Sequence, residues 1–182
     1  MSPRLEHVQR PQYPHIRTLL LEVYREVYAD EKQEFHAVVR FAERIDMYAE
    51  LDGWEAALGR TTDGDVTGYA LGAPLPAGSR WWDSATNPLP QDFTAENGHR
   101  TFAVFELMVR PPWRGTGEAY RIHEELLGAR TEQRATLLVD ATHKGVRRRY
   151  EEWGYRAVGE QQPFADAPTY LMLLRDLPNT AA

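Results

Sequence analysis

The stretch Arg114-Gly115-Thr116-Gly117-Glu118-Ala119 lies between an apolar run at 101–109 and a run with helical patterning at 120–130. A short glycine loop that joins a strand to a helix presents consecutive backbone N–H groups near the positive end of the helix dipole. Such a loop attracts a phosphate-bearing ligand. Glycine at positions 115 and 117 permits a close approach of the ligand that a side chain would forbid. The stretch therefore predicts an anion site after a buried strand.

A Gly-x-Gly turn by itself does not identify its ligand, because many such turns merely join a strand to a helix. Two better-known phosphate motifs do not fit this sequence. No Lys-Ser or Lys-Thr pair follows Gly117, which excludes a nucleotide-hydrolysing P-loop. Tyr120 stands where a dinucleotide-binding fingerprint needs its third glycine, and no βαβ unit opens the chain.

The composition indicates a single globular domain. The chain has 182 residues, of which 42% are hydrophobic, and a formal net charge of -6. These values predict one domain over residues 1–182 and make a nucleic-acid partner unexpected, although a local basic patch stays open. The absence of cysteine excludes thiolate zinc sites and a cysteine nucleophile, and no metal is expected. No signal peptide or membrane span is recognisable, so we expect a cytoplasmic protein without membrane attachment.

Apolar periodicity predicts two helices, three strands, a helix, a strand, a helix and two closing strands, in that order. This order is typical of a mixed sheet flanked by helices, in the α/β (α+β) class. Residues 74–100 form a long connection that is either functional or an ordered excursion whose tryptophans fill a satellite core. The helices are predicted at 13–29, 35–49, 120–130 and 145–153, and the strands at 54–59, 66–73, 102–109, 136–141, 155–159 and 170–174.

Glu106 is the first candidate for catalysis, because it lies mid-strand on the same face as Phe102, Val104 and Met108. A carboxylate among apolar side chains is costly unless it has a partner or a function. Burial would raise its pKa toward the range of a general base. The alternative is a glutamate that reaches the sheet edge or pairs with an arginine.

Tyr150 is the second candidate, although nothing local distinguishes it from a core aromatic. It shares a helix face with Val146 and Trp153 by spacing. An aromatic side chain on such a stripe usually packs in the core. The neighbouring run Arg147-Arg148-Arg149 either forms a solvated face or attracts the phosphates of a nucleotide-like cofactor.

Taken together, the loop, the strand and the helix over residues 102–155 resemble the GCN5-related N-acetyltransferase (GNAT) superfamily. Arg114, Gly117 and Ala119 match the family's Arg/Gln-x-x-Gly-x-Gly/Ala motif. Residues 109–115 (VRPPWRG) are similar to its Val-x-Pro-x-x-Arg-Gly lead-in. Residues 150–155 (YEEWGY) are similar to its Tyr-x-x-x-Gly-Phe signature, with tyrosine at the end. Before residue 102 the likeness is only topological.

The resemblance implies a sheet of about six to seven strands with about four helices, splayed between the fourth and fifth strands, here 102–109 and 136–141. It implies acetyl-coenzyme A as cosubstrate, with the thioester entering the splay. Glu106 would deprotonate the acceptor amine, directly or through water, and Tyr150 would protonate the departing thiolate. The implied cofactor contacts are the backbone of Leu107, Met108 and Val109, the loop residues Arg114, Gly115, Thr116, Gly117, Glu118 and Ala119, and His143.

Two positions depart from the family pattern. Glu118 replaces an aliphatic residue, so its carboxylate should face away from the phosphates for coenzyme to bind well. His143 stands where the family often has an asparagine. Its ring could contact the pantetheine arm, or the residue could simply cap the following helix.

The acceptor is predicted to be a small-molecule primary amine with apolar or ring character, bound by aromatic side chains. Plain packing is the alternative for each of these residues. A protein or peptide amine, or a non-catalytic acyl-CoA sensor, are alternative functions, and a homodimer paired through edge strands is possible. The candidate acceptor contacts are Tyr24, Tyr28, Trp81, Trp82 and Phe164, of which the last lies in the loop 161–168.

Overall fold

The computed structural model describes residues 3–30, 37–162, 165 and 167–178. Its strands are β1 (Arg4–Gln9), β2 (Glu55–Arg60), β3 (Val66–Pro74), β4 (Thr101–Val109), β5 (Arg134–Asp140), β6 (Arg156–Gln161) and β7 (Tyr170–Asp176). Its helices are α1 (Tyr13–Val27), α2 (Val38–Ala49), the short α3 (Gln91–Thr94), α4 (Glu118–Leu127) and α5 (Lys144–Glu152).

The strands form a mixed sheet in the order β1-β2-β3-β4-β5-β7-β6. Antiparallel pairing joins β1 to β2 and β2 to β3, and β7 pairs antiparallel with both β5 and β6. β4 and β5 run parallel, and their register pairs Thr101 with Arg134 and Ala103 with Thr136. The prediction of a mixed α/β sheet with flanking helices is confirmed.

β1 is the one strand of this sheet that the sequence pattern does not predict. Its burial alternates weakly, and Val8 is its one fully buried side chain. β1 pairs only with β2, at the edge of the sheet. An edge strand buries little apolar surface, so its sequence carries little hydrophobic periodicity.

The chain divides into two compact units, and β4 contributes to both. The first unit comprises Met1–Ala73 and Val104–Arg130. Its core is built on aromatic side chains from α1, α2 and the strands, including Tyr24, Phe41, Trp54 and Tyr69, each no more than 1% exposed. The apolar stripe of α2, which includes Phe41, Ile45 and Ala49, faces this core as its helical spacing predicts.

The second unit comprises Pro74–Ala103 and Thr131–Ala182. Arg134 of β5 organises the long connection 74–100 within it. Its guanidinium donates to Thr101 Oγ1 at 2.7 Å, to the carbonyl of Phe93 at 2.7 Å and to Glu96 Oε1 at 3.0 Å. Trp82 is buried and donates from Nε1 to the same Glu96 oxygen at 3.0 Å. These contacts fit the satellite-core alternative for Trp82, and the single-domain interpretation of residues 1–182 stays a prediction.

Candidate active site

The glycine loop between β4 and α4 has the backbone form that its sequence predicts. After β4 ends at Val109, a 3-10 turn spans Pro111–Trp113. Gly115 and Gly117 then take φ values of 76° and 86°. These left-handed conformations strain any residue with a Cβ, which explains glycine at both positions. Gly117 is the N-cap residue of α4, so the helix begins at Glu118, two residues before the predicted start.

The backbone N–H groups of this loop are available to a ligand. Within the described part of the chain, none of the N–H groups from Gly115 to Ala119 donates to a protein acceptor. Positions 114–117 are exposed. Thr116 turns its hydroxyl back onto the carbonyl of Trp113 at 2.7 Å, which braces the turn without using its N–H. Free N–H groups at the start of a ten-residue helix favour the binding of an anion.

Glu118, the position that departs from the family pattern, turns its side chain into the first unit. Its carboxylate is 2% exposed and accepts a hydrogen bond from Thr67 Oγ1 on β3 at 2.7 Å. Its other oxygen pairs with Arg121 at 2.8 Å. The negative charge is therefore paired and buried rather than exposed among the loop N–H groups. The sequence gives no sign of Thr67, because that partner is 51 positions away.

The end of β4 packs against β3 at very close range. A Cβ added at Gly68 of β3 would lie 2.4 Å from the carbonyl oxygen of Met108, so only glycine fits there. Met108 and Val109 are buried, whereas Leu107 is half-buried. Tyr69 donates its hydroxyl to Met108 Sδ at 3.3 Å, which fixes the methionine side chain on β4.

Glu106 lies on β4 two residues before Met108, and it is half-buried. Burial raises the pKa of Glu106 to about 7, while the positive charge of Arg44 on α2 opposes that rise. A carboxyl group with this pKa changes its protonation state near neutral pH, as a general base requires. The sequence pattern predicted the raised pKa, but it did not indicate Arg44.

Aromatic side chains of α1 and α2 occupy the same unit. Tyr24 stacks between Tyr28, at 4.6 Å between ring centroids, and Phe41, at 3.7 Å. Tyr24 is fully buried, which fits the packing alternative, while Tyr28 is half-buried at the end of the stack. Their binding roles stay predictions. The guanidinium of Arg44 lies 5.4 Å from the centre of the Phe41 ring.

In the second unit, Tyr150 is a buried residue of α5. Its ring meets those of Trp153 and Tyr155 edge-on, at centroid distances of 5.1 Å and 5.6 Å. His143 is the N-cap residue of α5, but it caps through its backbone carbonyl and its exposed side chain makes no cap hydrogen bond. The roles predicted for Tyr150 and His143 stay predictions.

The remaining candidates lie on exposed or peripheral parts of the second unit. Arg147 and Arg148 pair with glutamates one turn along α5, Glu151 at 2.7 Å and Glu152 at 3.2 Å. These pairs fit a solvated helix face. Trp81 is half-buried and meets Trp82 edge-on at 6.5 Å, and its acceptor role stays a prediction. Phe164, the fifth acceptor candidate, lies outside the described residues.

The described residues contain neither a metal-binding cluster nor a membrane-spanning helix. Over residues 3–30, 37–162, 165 and 167–178, no cluster of histidine and acidic side chains could hold a metal ion. In those same ranges no helix is long and apolar enough to cross a membrane.

Comparison by sequence finds no relative: neither a protein-family model nor a curated protein matches this chain. Comparison by structure finds proteins of the same fold. A GNAT superfamily phosphinothricin acetyltransferase from Sinorhizobium meliloti, in complex with AcCoA, is 16% identical with a TM-score of 0.63, over 100% of this chain and 92% of that chain. An aminoglycoside 6'-acetyltransferase type Ii is 17% identical with a TM-score of 0.63, over 96% and 98% of the two chains.

A third similar structure is that of the NatC complex bound to Gag peptide and CoA. It is 12% identical, with a TM-score of 0.60, over 98% of this chain and 100% of that chain. Identities this low show the fold and not the activity. The chain has the fold of the GNAT acetyltransferases.

Proposed function

We propose that this protein is an acetyl-CoA-dependent N-acetyltransferase that acts on the primary amine of a small molecule. One observation carries the proposal: a glycine loop whose N–H groups have no acceptor among the described residues comes shortly after the strand that bears Glu106. The first feature suits a pyrophosphate and the second suits deprotonation of an amine. Both lie in the first compact unit of a GNAT-type fold.

The loop residues would hold the coenzyme through their backbone. The N–H groups from Gly115 to Ala119 would donate to the pyrophosphate, and Arg114, which is exposed, would add a positive charge. The backbone of Leu107 to Val109 would pair with the pantetheine amides. When bound, the coenzyme supplies an acetyl group on an activated thioester.

Glu106 would act as the general base. An alkylamine is mostly protonated at neutral pH and cannot attack a carbonyl carbon. With a pKa of about 7, the ionised carboxylate of Glu106 can accept a proton from the ammonium, directly or through water. The amine nitrogen then bonds to the acetyl carbon and the carbon–sulfur bond breaks. A backbone N–H near Met108 would stabilise the negative charge on the carbonyl oxygen during this step.

Tyr150 would give its phenolic proton to the leaving thiolate. We expect Tyr150→Phe to lower kcat about 10-fold to 100-fold, because a thiolate is already a fair leaving group and the acid is only part of the rate. The dissociation constant of coenzyme A should not change. Trp153→Phe, which trims a ring packed against Tyr150, is the matched control. Equal loss in both variants, measured by steady-state kinetics, would mean that Tyr150 only supports packing.

The acceptor assignment rests on charge and on the nature of similar proteins. A formal net charge of -6 favours the approach of a cationic amine over an anionic one. Two of the structures described above are named for small molecules, phosphinothricin and an aminoglycoside, and one holds a peptide. We therefore place a small amine first and a peptide amine second.

A titration of the purified protein tests the coenzyme site. Calorimetry should give saturable binding of coenzyme A, and pantetheine, which lacks the pyrophosphate, should bind about 100-fold more weakly or not at all. Equal affinity for the two ligands would remove the loop from the binding site. No binding of either ligand would end the proposal.

A further inference from the structure

A buried hydrogen bond ties the first residue of α4 to β3. Glu118 Oε1 accepts from Thr67 Oγ1 at 2.7 Å, and both side chains are almost fully buried, at 2% and 0% exposure. A charged acceptor makes this buried hydrogen bond a strong one. We call this pair the Thr67–Glu118 clamp. Its Glu118 comes directly after the loop 114–117 in the chain.

Thr67 holds the other end of the same segment as well. Its carbonyl oxygen accepts from the N–H of Arg110 at 2.9 Å. One residue of β3 is therefore bonded to the chain just before the 3-10 turn and again just after the loop. The segment 110–118, which carries the candidate anion site, is closed at both ends on Thr67.

The neighbouring residues pack closely around the clamp. A Cβ at Gly59 of β2 would lie 2.1 Å from Glu118 Oε1 and 2.2 Å from Thr67 Oγ1, so glycine makes the room for the pair. Arg121 completes the closure by bonding both to Glu118 Oε2 at 2.8 Å and to the carbonyl of Pro3 at 2.7 Å. The Glu118 carboxylate therefore adjoins β2 and β3 and is linked through Arg121 to Pro3.

We propose that Thr67 and Glu118 are positioning residues: their clamp fixes the conformation of the loop 114–117 and thereby sets the affinity for coenzyme A. The part concerning affinity rests on the proposed function, whereas the part concerning the loop does not. Because both side chains are buried, we expect neither to contact the coenzyme. Their effect runs through the direction of the N–H groups from Gly115 to Ala119, because a preformed anion site loses less entropy on binding.

The test compares three threonine variants of the full chain. Thr67→Val removes the hydroxyl and keeps the shape, while Thr67→Ser keeps the hydroxyl and should restore wild-type behaviour. Thr136→Val is the control, since Thr136 is also fully buried and loses one hydrogen bond, to the carbonyl of Leu173 at 3.0 Å, in the other compact unit. Tm, coenzyme A affinity and amide hydrogen exchange without coenzyme are measured on each.

Both valine variants should lower the Tm, and Thr67→Val should lower it more because its lost partner is a charged carboxylate. Only Thr67→Val should change the loop. In that variant we expect hydrogen exchange of the bonded amides at the two ends of the segment, Arg110 and Arg121, to be about 10-fold faster. The coenzyme A Kd and acetyl-CoA KM should be about 10-fold higher. The amine KM should stay the same. Unchanged exchange and Kd in Thr67→Val would overturn the proposal, as would equal changes in Thr136→Val.

The exchange measurement keeps this proposal separate from the proposed function. If the wild-type protein binds no coenzyme A, the acetyltransferase assignment fails. Faster exchange of the Arg110 and Arg121 amides in Thr67→Val alone would still establish that the clamp positions the loop, and unchanged exchange would still reject it.

Discussion

Replacement of Glu106 by glutamine is expected to lower kcat for acetyl transfer by about 10²-fold to 10⁴-fold, the range that loss of a general base usually costs. The amide has nearly the same size but cannot accept the proton of the acceptor ammonium. Coenzyme A should bind with unchanged Kd, because Glu106 is not among the proposed coenzyme contacts. Steady-state kinetics and calorimetry measure the two quantities, and a Glu106→Gln variant with full turnover would reject the base assignment.

The pH dependence of the wild type provides the second check on Glu106. Its pKa of about 7 means that kcat/KM should rise with pH through about 7 as the carboxyl group ionises. The pH dependence of stability tests the raised pKa of Glu106 without any substrate. Between the ordinary pKa of 4.5 and about 7, the folded protein holds the Glu106 proton more tightly than the unfolded chain does. Raising the pH through that window therefore destabilises the wild type relative to Glu106→Gln. A difference in Tm that stays constant from pH 4 to pH 8 would contradict the raised pKa.

Replacement of Gly117 by alanine is expected to raise the Kd of coenzyme A about 10-fold to 100-fold. Gly117 has a φ of 86° as the N-cap residue of α4, and alanine is strained in this conformation. Relief of the strain would turn the peptide groups of the loop and misdirect the N–H groups that meet the pyrophosphate. Calorimetric titration with coenzyme A measures the effect.

Gly98→Ala is the matched control for that variant. Gly98 has the same φ of 86°, and a Cβ at either glycine would meet nothing within 4 Å. The two variants should therefore lose similar stability, about 1 kcal/mol each. Only Gly117→Ala should lose affinity for coenzyme A. Equal Kd values in the two variants would show that the loop backbone does not bind the coenzyme.

Features carried by a continuous stretch of chain could be predicted from the sequence. The loop 114–119 is such a feature, because its glycines are required by the positive φ values of the local backbone. The apolar run of β4 made Glu106 stand out, because a carboxylate in a buried strand conflicts with its neighbours. The four long helices and six of the strands followed from periodicity, within a few residues at their ends, but the short α3 in the connection 74–100 did not.

Features that depend on distant partners could not be predicted. Glu118 was recognised as unusual, but its partner Thr67 comes from another strand, and nothing near either residue links them. Arg44 is likewise positioned against Glu106 only by the packing of α2 in the first unit. The edge strand β1 lacked a pattern because it buries so little.

Aromatic residues show a third limit. Tyr24 and Tyr28 have the same type and lie one helical turn apart, so the sequence proposed both as acceptor contacts. In the structure Tyr24 is fully buried between two rings, whereas Tyr28 is only half-buried. Periodicity identifies the buried side of a helix but not how far each ring on it is covered.

Thiol release from acetyl-CoA by the wild-type protein across a panel of amines, with mass spectrometry of the products, tests most directly whether this protein transfers acetyl groups. The panel should hold amino sugars, amino acid derivatives, xenobiotic amines and a peptide. We predict release of one thiol for each acetylated amine, with at least one small primary amine turned over. Binding of acetyl-CoA without turnover of any amine would contradict the account and indicate an acyl-CoA sensor instead.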